Sequence, residues 1–519
     1  MYSRRGFMAF GALLGSAVTL PAHAQSAEAI AAYLKGADKG ITAYYKANGF
    51  KPIWTGNKNR SRRTALLNAL KTADDHGLPL GRYKIDTLAK AFKGRDNKSM
   101  GQAEVLASQV FVTYARDLNS GLLRPSRVDS EIAMNPGKAS AESLLAGVSK
   151  GNAKSYLAGL APSHPDYKQL VNLKKSLARK SDKSGQALPN KTLKPGVASN
   201  SVVILRQKLA AQGYRNLGQS KTYDAKLVAT VKDFQKKRGL SADGIVGTAT
   251  IDALNLGNGA KMRHVLANLE RQRWMNFERG KRHIFVNLPD FSVQIVDNGK
   301  QSFYSRTVIG KRGRDFRSPE FVDKMTHMVI NPTWHVPSSI AQKEYLPIIK
   351  NDPGYLARKG MRMINQAGQT VNPASINLAA YGENNFPYSI KQRPNPGNAL
   401  GKVKFMFPNR FNIYLHDTPA KSLFGKETRA FSHGCIRVHK PFEFAYALLS
   451  RQSGNPKGLF HGYLDTGAEK YVNLKAHVPV IIAYQTVIFD KKGGATFKGD
   501  IYGRDAKIIR ALQKAGVAV

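Results

Sequence analysis

One cysteine, Cys435, stands in a chain of 519 residues. No intramolecular disulfide can form. The compartment stays open on this point, because an exported protein need not carry disulfides. A lone thiol is either a small buried hydrophobe or a reactive group, and an unpaired one in an exported protein invites the second reading. Acidic residues are also few: Asp plus Glu number 35 against 80 Lys plus Arg, a net charge of +45. Such a field favours a polyanionic partner, whether nucleic acid, anionic lipid or cell-wall polymer, or else is a solvated basic surface with no single partner. Zinc-finger spacing and an RNP-like motif are both missing, so no nucleic acid is expected. No stretch reaches the roughly 18 apolar residues of a membrane helix, so no transmembrane segment is expected and the mature protein should be soluble. No internal repeat of domain size is present.

Ser3-Arg4-Arg5-Gly6-Phe7-Met8 leads into an apolar run, Ala9 to Leu20, and then Pro21-Ala22-His23-Ala24. The run is too short for a membrane span and the A-x-A pattern marks a cleavage site, so residues 1–24 read as a signal peptide. The paired arginines resemble a twin-arginine signal, the alternative being an ordinary secretory one, and the expected location is the periplasm. Residues 25–178 read as a helical domain. Apolar residues recur at helical spacing over Ala27–Asn48 and Ser99–Leu118, with breaks at Gly77-Leu78-Pro79 and Asn135-Pro136-Gly137. Residues 179–198, rich in Lys, Ser and Pro, read as a linker.

Residues 199–256 read as a three-helix unit. Val202, Val203, Leu205 and Leu209 form one stripe ending at Gly213-Tyr214. Leu227, Val228, Val231 and Phe234 form a second, ending at Gly239. Asp243-Gly244 and Gly247 precede a third helix through Ile251 and Leu254. LRQKLAAQGY followed by TVKDFQKKRGLSADGIVGTATIDAL resembles the small peptidoglycan-binding domain of wall enzymes.

Residues 275–485 read as a β-rich domain. His283–Leu288 and Phe291–Asp297 alternate apolar and polar, Asn298-Gly299 is a hairpin turn, and Ser302–Ile309 follows. Met325–Ile330 and Phe411–His416 read as further strands, Pro441–Leu449 as a helix, and His477–Asp490 as β-rich. The long segment 331–409 carries Trp334, Tyr345, Tyr355, Tyr381, Phe386 and Tyr388, too aromatic for disorder. It is expected to be a folded insert capping the site. Residues 486–519 read as a basic tail with a short helix from Arg504. The fold class expected is therefore multidomain α+β.

The chemistry concentrates in Ser432-His433-Gly434-Cys435-Ile436-Arg437. A thiol nucleophile needs a base and donors for the oxyanion it creates. Gly434 permits a sharp turn and close backbone approach. His433 is close in sequence, but catalytic partners usually converge from separate elements. His416, ending the apolar run from Phe411, is the other candidate base. A His, a gap of fifteen residues and Ser-His-Gly-Cys together resemble the L,D-transpeptidase signature. Asn331-Pro332-Thr333-Trp334-His335-Val336-Pro337, Asp352-Pro353-Gly354-Tyr355-Leu356 and Asn398-Ala399-Leu400-Gly401 resemble the larger periplasmic branch of that family. Such proteins combine a scaffold domain, a peptidoglycan-binding domain and a catalytic domain with a capping insert.

The resemblance implies that Cys435 is the nucleophile, attacking the carbonyl after the diamino acid of a tetrapeptide stem and releasing D-Ala. A thioester forms and the side-chain amine of a second stem resolves it into a 3→3 cross-link. His416 is then base and acid, and the Asp417 carbonyl orients it. His433, Gly434 and Cys435 border the oxyanion hole, with Ser432 among the orienting residues. Arg437, Trp334 and Tyr414 are the expected substrate-binding residues. Many family members have Asn at position 437, so the role of Arg437 stays open, although its fork suits a carboxylate. Partners are peptidoglycan stems and glycan, with wall-synthesis proteins at the scaffold region, and acylation by carbapenems is expected. No cofactor and no metal are expected. Two alternatives remain: a zinc site from His433, Cys435, His439 and His416, and a non-catalytic wall-binding scaffold. The same acyl-enzyme would also serve D-amino-acid exchange or protein attachment to the wall.

Overall fold

The computed structural model describes residues 22–179, 186–189, 191–238 and 240–519, and the side chains of all of these but 22–25, 248 and 249. The signal segment thus lies almost wholly outside the described residues, as does Gly239. The chain forms two compact units, one of residues 22–119 with 138–161 and one of residues 120–137 with 162–519. The stretch expected as one helical domain is therefore divided between them.

The first unit is helical. The periodic run Ala27–Asn48 forms two helices, Ala22–Tyr33 and Lys39–Ala47, because the Asp38 carboxylate caps the second by accepting Gly40 N–H at 2.8 Å. The long helix Asn97–Ser120 carries Glu104, which is fully buried. A carboxylate can be buried only if donors replace its water. Here the backbone N–H groups of Ile53, Trp54 and Thr55 and the hydroxyls of Tyr45 and Thr55 converge on it.

In the second unit, helices Asn200–Ala211, Ala225–Lys237 and Thr248–Leu254 close over Val202, Leu205, Leu209, Leu227, Val231 and Phe234. Part of the segment read as linker packs here too. Leu188 and Leu193 enter this core, and Leu193 bridges to Val246.

The β-rich region is one sheet of nine strands among the described residues. Its order is Ala430–Ser432, Lys300–Gly310, Ile436–Val438, Leu415–His416, Val403–Met406, Phe321–Ile330, Lys470–Ala483, Arg282–Asn287 and Ser292–Asp297. The last strand pairs back onto Lys300–Gly310, so the ladder closes on itself. The closing hairpin is the predicted one, with Asn298 and Gly299 both at positive φ (49° and 75°), as a type I′ turn requires. Alternate residues Ile284, Val286, Val293, Ile295, Met328, Ile330, Val403, Phe405, Leu415, Ile436 and Val438 fill the interior. The predicted helix Pro441–Leu449 seals it with Phe444, whose ring lies 4.7 Å from that of Phe405.

The strand expected over Phe411–His416 is shorter, covering only Leu415–His416. Asn412 sits at φ +53°, and the Asn409 side chain binds the backbone of Phe407, Phe411 and Ile413, folding this run into a turn. The insert has its own small sheet, Trp334–His335, Ser389–Gln392, Met361–Ile364 and Thr370–Val371. Its own core includes Val336, Leu346, Ile349, Met363 and Ile390. Val403–Met406, at its C-terminal end, belongs to the main sheet. The terminal helix Arg504–Lys514 packs on helix Asn258–Trp274, where Arg271 pairs with Asp505.

Candidate active site

Strand Leu415–His416 runs parallel to Ile436–Val438, with Leu415 opposite Ile436 and His416 opposite Arg437. The pairing continues one residue outward, since Ile436 N–H donates to Tyr414 O at 3.0 Å. Leu415, Ile436 and Val438 point into the core. Alternation therefore sends Tyr414, His416, Cys435 and Arg437 out together on the other side. The Tyr414 and His416 rings lie 5.6 Å apart.

His416 is buried, and its Nδ1 lies against the carbonyl of Asp417. A carbonyl only accepts, so Nδ1 carries the proton and Nε2 keeps its lone pair. The Asp417 carbonyl is itself fixed. The carboxylate of Asp417 accepts Thr418 N–H at 2.7 Å and Lys402 N–H at 2.9 Å, and Lys421 donates to it as well. Gly401, at φ +61°, gives that carboxylate room; a Cβ there would come within 2.3 Å of it.

The Cys435 thiol donates to Asn412 O at 3.6 Å. Burial pushes this thiol up to about 11, against the pull of the Tyr414 N–H, the Tyr414 hydroxyl and the Arg437 charge. Burial pushes His416 down to about 3, helped by Arg437 and opposed by the Asp417 carbonyl. The thiol and the imidazole on this face are thus both uncharged at neutral pH.

Ser432 ties the turn together. Its hydroxyl donates to Cys435 O and accepts Gly434 N–H at 3.2 Å. Gly434 sits at φ +110°, where a side chain is strained, and a Cβ would meet Ile413 at 3.0 Å. Its N–H is thus occupied. The N–H groups of His433 and Cys435 have no acceptor among the described residues.

A family model described as the L,D-transpeptidase catalytic domain matches residues 281–453. This region is an L,D-transpeptidase catalytic domain. A scaffold-domain model matches residues 39–173, and a "Putative peptidoglycan binding domain" matches residues 198–254. A Haemophilus influenzae protein named "Putative L,D-transpeptidase" is 33% identical over 225 residues. The match spans 43% of this chain and 45% of that protein, under half of each. Solved structures that match include an L,D-transpeptidase of Mycobacterium smegmatis, 12% identical over 39% of this chain and 58% of that one, with a TM-score of 0.19. Another, from Stackebrandtia nassauensis, is 14% identical over 57% and 97%, with a TM-score of 0.21.

The L,D-transpeptidase domain does not bring the four ligands of the zinc alternative together. The His433 ring is engaged by Glu344 and by Lys311 at 3.4 Å, edge-on to Phe316, while the His439 ring packs on Phe424 at 4.8 Å. Among the described residues no group of three His, Cys, Asp or Glu could hold a metal ion. Trp334 lies in the insert, its ring 6.2 Å from that of Tyr345. Two contacts escaped sequence reading. Ser318 Oγ donates to Gly434 O at 2.6 Å, and Glu344, in a π-helical turn of the insert, holds His433. Neither has a local signal, since each partner lies roughly a hundred residues away.

Proposed function

We propose that this protein is an exported cysteine transpeptidase that forms 3→3 cross-links between peptidoglycan stems. The observation that carries the reading is the fixed His416 tautomer, its Nε2 lone pair on the face that also presents Cys435. The thiol sulfur attacks the carbonyl that follows the diamino acid of a tetrapeptide stem, and Nε2 takes the S–H proton. The oxyanion is met by the N–H groups of His433 and Cys435, Gly434 N–H being already bound. The C–N bond breaks, His416 returns the proton to the departing D-Ala amine, and a thioester remains. The side-chain amine of a second stem attacks it, His416 takes the amine proton, and the thiol is restored. Arg437 beside the sulfur suits a carboxylate of the donor stem.

The peptidoglycan-binding unit would hold the enzyme on its substrate, and the scaffold region would dock wall-synthesis proteins. No helix among the described residues is long and apolar enough to cross a membrane. With a peptidoglycan-acting domain this is consistent with an extracytoplasmic location, and we propose export by the twin-arginine route through Arg4 and Arg5.

Intact mass after incubation with a carbapenem tests the chemistry. Wild type should gain one adduct, mapped to the peptide containing Cys435, and Cys435→Ser should gain none. His416→Ala should slow acylation by about 10²–10⁴-fold, the usual worth of general acid–base help. A Cys435→Ser variant that still cross-links stems at the wild-type rate would overturn the mechanism.

A further inference from the structure

His416 has a cation on each side. Strand Leu415–His416 lies between two neighbours, one placing Arg437 opposite His416 and the other placing Lys404 opposite it. Residues directly opposite on neighbouring strands share a face. Val403 and Phe405, on either side of Lys404, point into the core. Lys404 therefore projects on the His416 face, one strand spacing of about 4.8 Å away, and its charge acts on His416.

Lys404 is half-buried, yet no carboxylate lies within ion-pair distance of it among the described residues. Glu469, the acid that acts on it from further off, has its Oε1 engaged by Thr333 N–H at 2.9 Å. The other groups facing Lys404 are His327 and His335, and its charge helps to hold both below the usual imidazole range. Burial without a counter-ion likewise holds the Lys404 ammonium below the ordinary lysine range. A charge taken from water in this way is normally paired. Here the missing anion is left for a ligand.

The identity of that anion follows from the atoms His416 serves, taking the transpeptidation reading as the basis. In the first half-reaction His416 gives a proton to the amine of a leaving D-alanine, and the carbon bearing that nitrogen also bears a carboxylate. In the second it takes a proton from an incoming amine. When the diamino acid is of the diaminopimelate kind, that nitrogen too is one carbon from a carboxylate, whereas the side-chain amine of a lysine is not. Three adjacent strands thus match three parts of the reaction. The Cys435 strand holds the acyl group, the His416 strand moves the proton, and the Lys404 strand meets whatever the amine carries.

We propose that Lys404 is the specificity residue of the amine side, binding the α-carboxylate of the departing D-alanine and then the α-carboxylate beside the incoming amine. Arg437, two residues from the thiol on the opposite strand, is left to the acyl side. The enzyme should then favour donors with a free C-terminal carboxylate and acceptors whose reacting amine is α to a carboxylate.

The test uses the full chain and two tetrapeptide donors that differ only in ending as D-alanine or D-alaninamide. Wild type should form the acyl-enzyme faster with the free acid, in kcat/KM, by about 10–100-fold, the range of a lost hydrogen bond to a charged group. Lys404→Gln should bring the two donors to within about twofold, and Lys404→Arg should restore most of the preference. Intact mass after exhaustive treatment with iodoacetamide, which carries no carboxylate, should show Cys435 of Lys404→Gln alkylated, showing the thiol present and accessible. Equal use of both donors by wild type, or an unchanged preference in Lys404→Gln, refutes the Lys404 assignment and leaves the transpeptidase reading standing. No acyl-enzyme from either donor in wild type refutes that reading instead.

Discussion

At the scale of single residues, the pair in this site is not a ready-made thiolate and imidazolium. With the thiol at about 11, the thiolate is only about one part in 10⁴ at pH 7, against a few parts in a hundred for a free cysteine near 8.5. On the proposed mechanism, reactivity comes instead from proton transfer to His416 during attack. This predicts a specific alkylation profile. The rate of Cys435 with iodoacetamide should be low at pH 7 and still rising above pH 9, where a free cysteine has levelled off. Arg437 lowers the thiol pKa, so Arg437→Gln should move the profile to higher pH. A plateau reached below pH 7 would mean a preformed ion pair and would contradict this account.

At the scale of elements, what could be read in the sequence was whatever depends on neighbours in the chain. The Asn298-Gly299 hairpin and helix Pro441–Leu449 announce themselves by turn residues and a Pro at the first helical position. Strand Leu415–His416 was overestimated because the alternation of Phe411–His416 hides the turn that Asn409 imposes. Cys435 and His416 are proposed from a motif, whereas Lys404 becomes a candidate only when the register of three strands is known. The terminal helix from Arg504 could be read in the sequence, but its contacts could not, for the same reason. Arg504, fully buried, pairs with Glu320 at 3.2 Å and Glu131 at 3.0 Å, and donates to Ser318 O at 2.9 Å. Ser318 in turn holds Gly434 O, so the C-terminal helix is one residue removed from the turn that carries Cys435. Removing one partner of a buried ion pair costs about 3–5 kcal/mol because the other charge is stranded. Arg504→Met should therefore lower stability by that order in urea unfolding and slow Cys435 acylation. Adding Glu320→Gln should recover part of the stability, and strict additivity of the two changes would count against the coupling.

At the scale of the whole molecule the dominant feature is charge, 80 basic residues against 35 acidic ones. The second helix of the peptidoglycan-binding unit shows how it is deployed. Leu227, Val231 and Phe234 face the unit's core, while Lys226, Lys232 and Lys236 are exposed on the other side. Exposed cations add little to stability, but they attract an anionic polymer over about 8–10 Å at physiological ionic strength. Wall affinity should then be strong at low salt and fall as salt rises. Replacing Lys226, Lys232 and Lys236 together by Glu leaves the apolar core untouched, so the protein should stay folded and acylate with a carbapenem at the wild-type rate. Pelleting with purified sacculi should fall at low salt, and its salt dependence should flatten. If the triple variant pellets like wild type at every salt concentration, this helix face is not what holds the enzyme to the wall, and the affinity must be sought in the other basic surfaces of the chain.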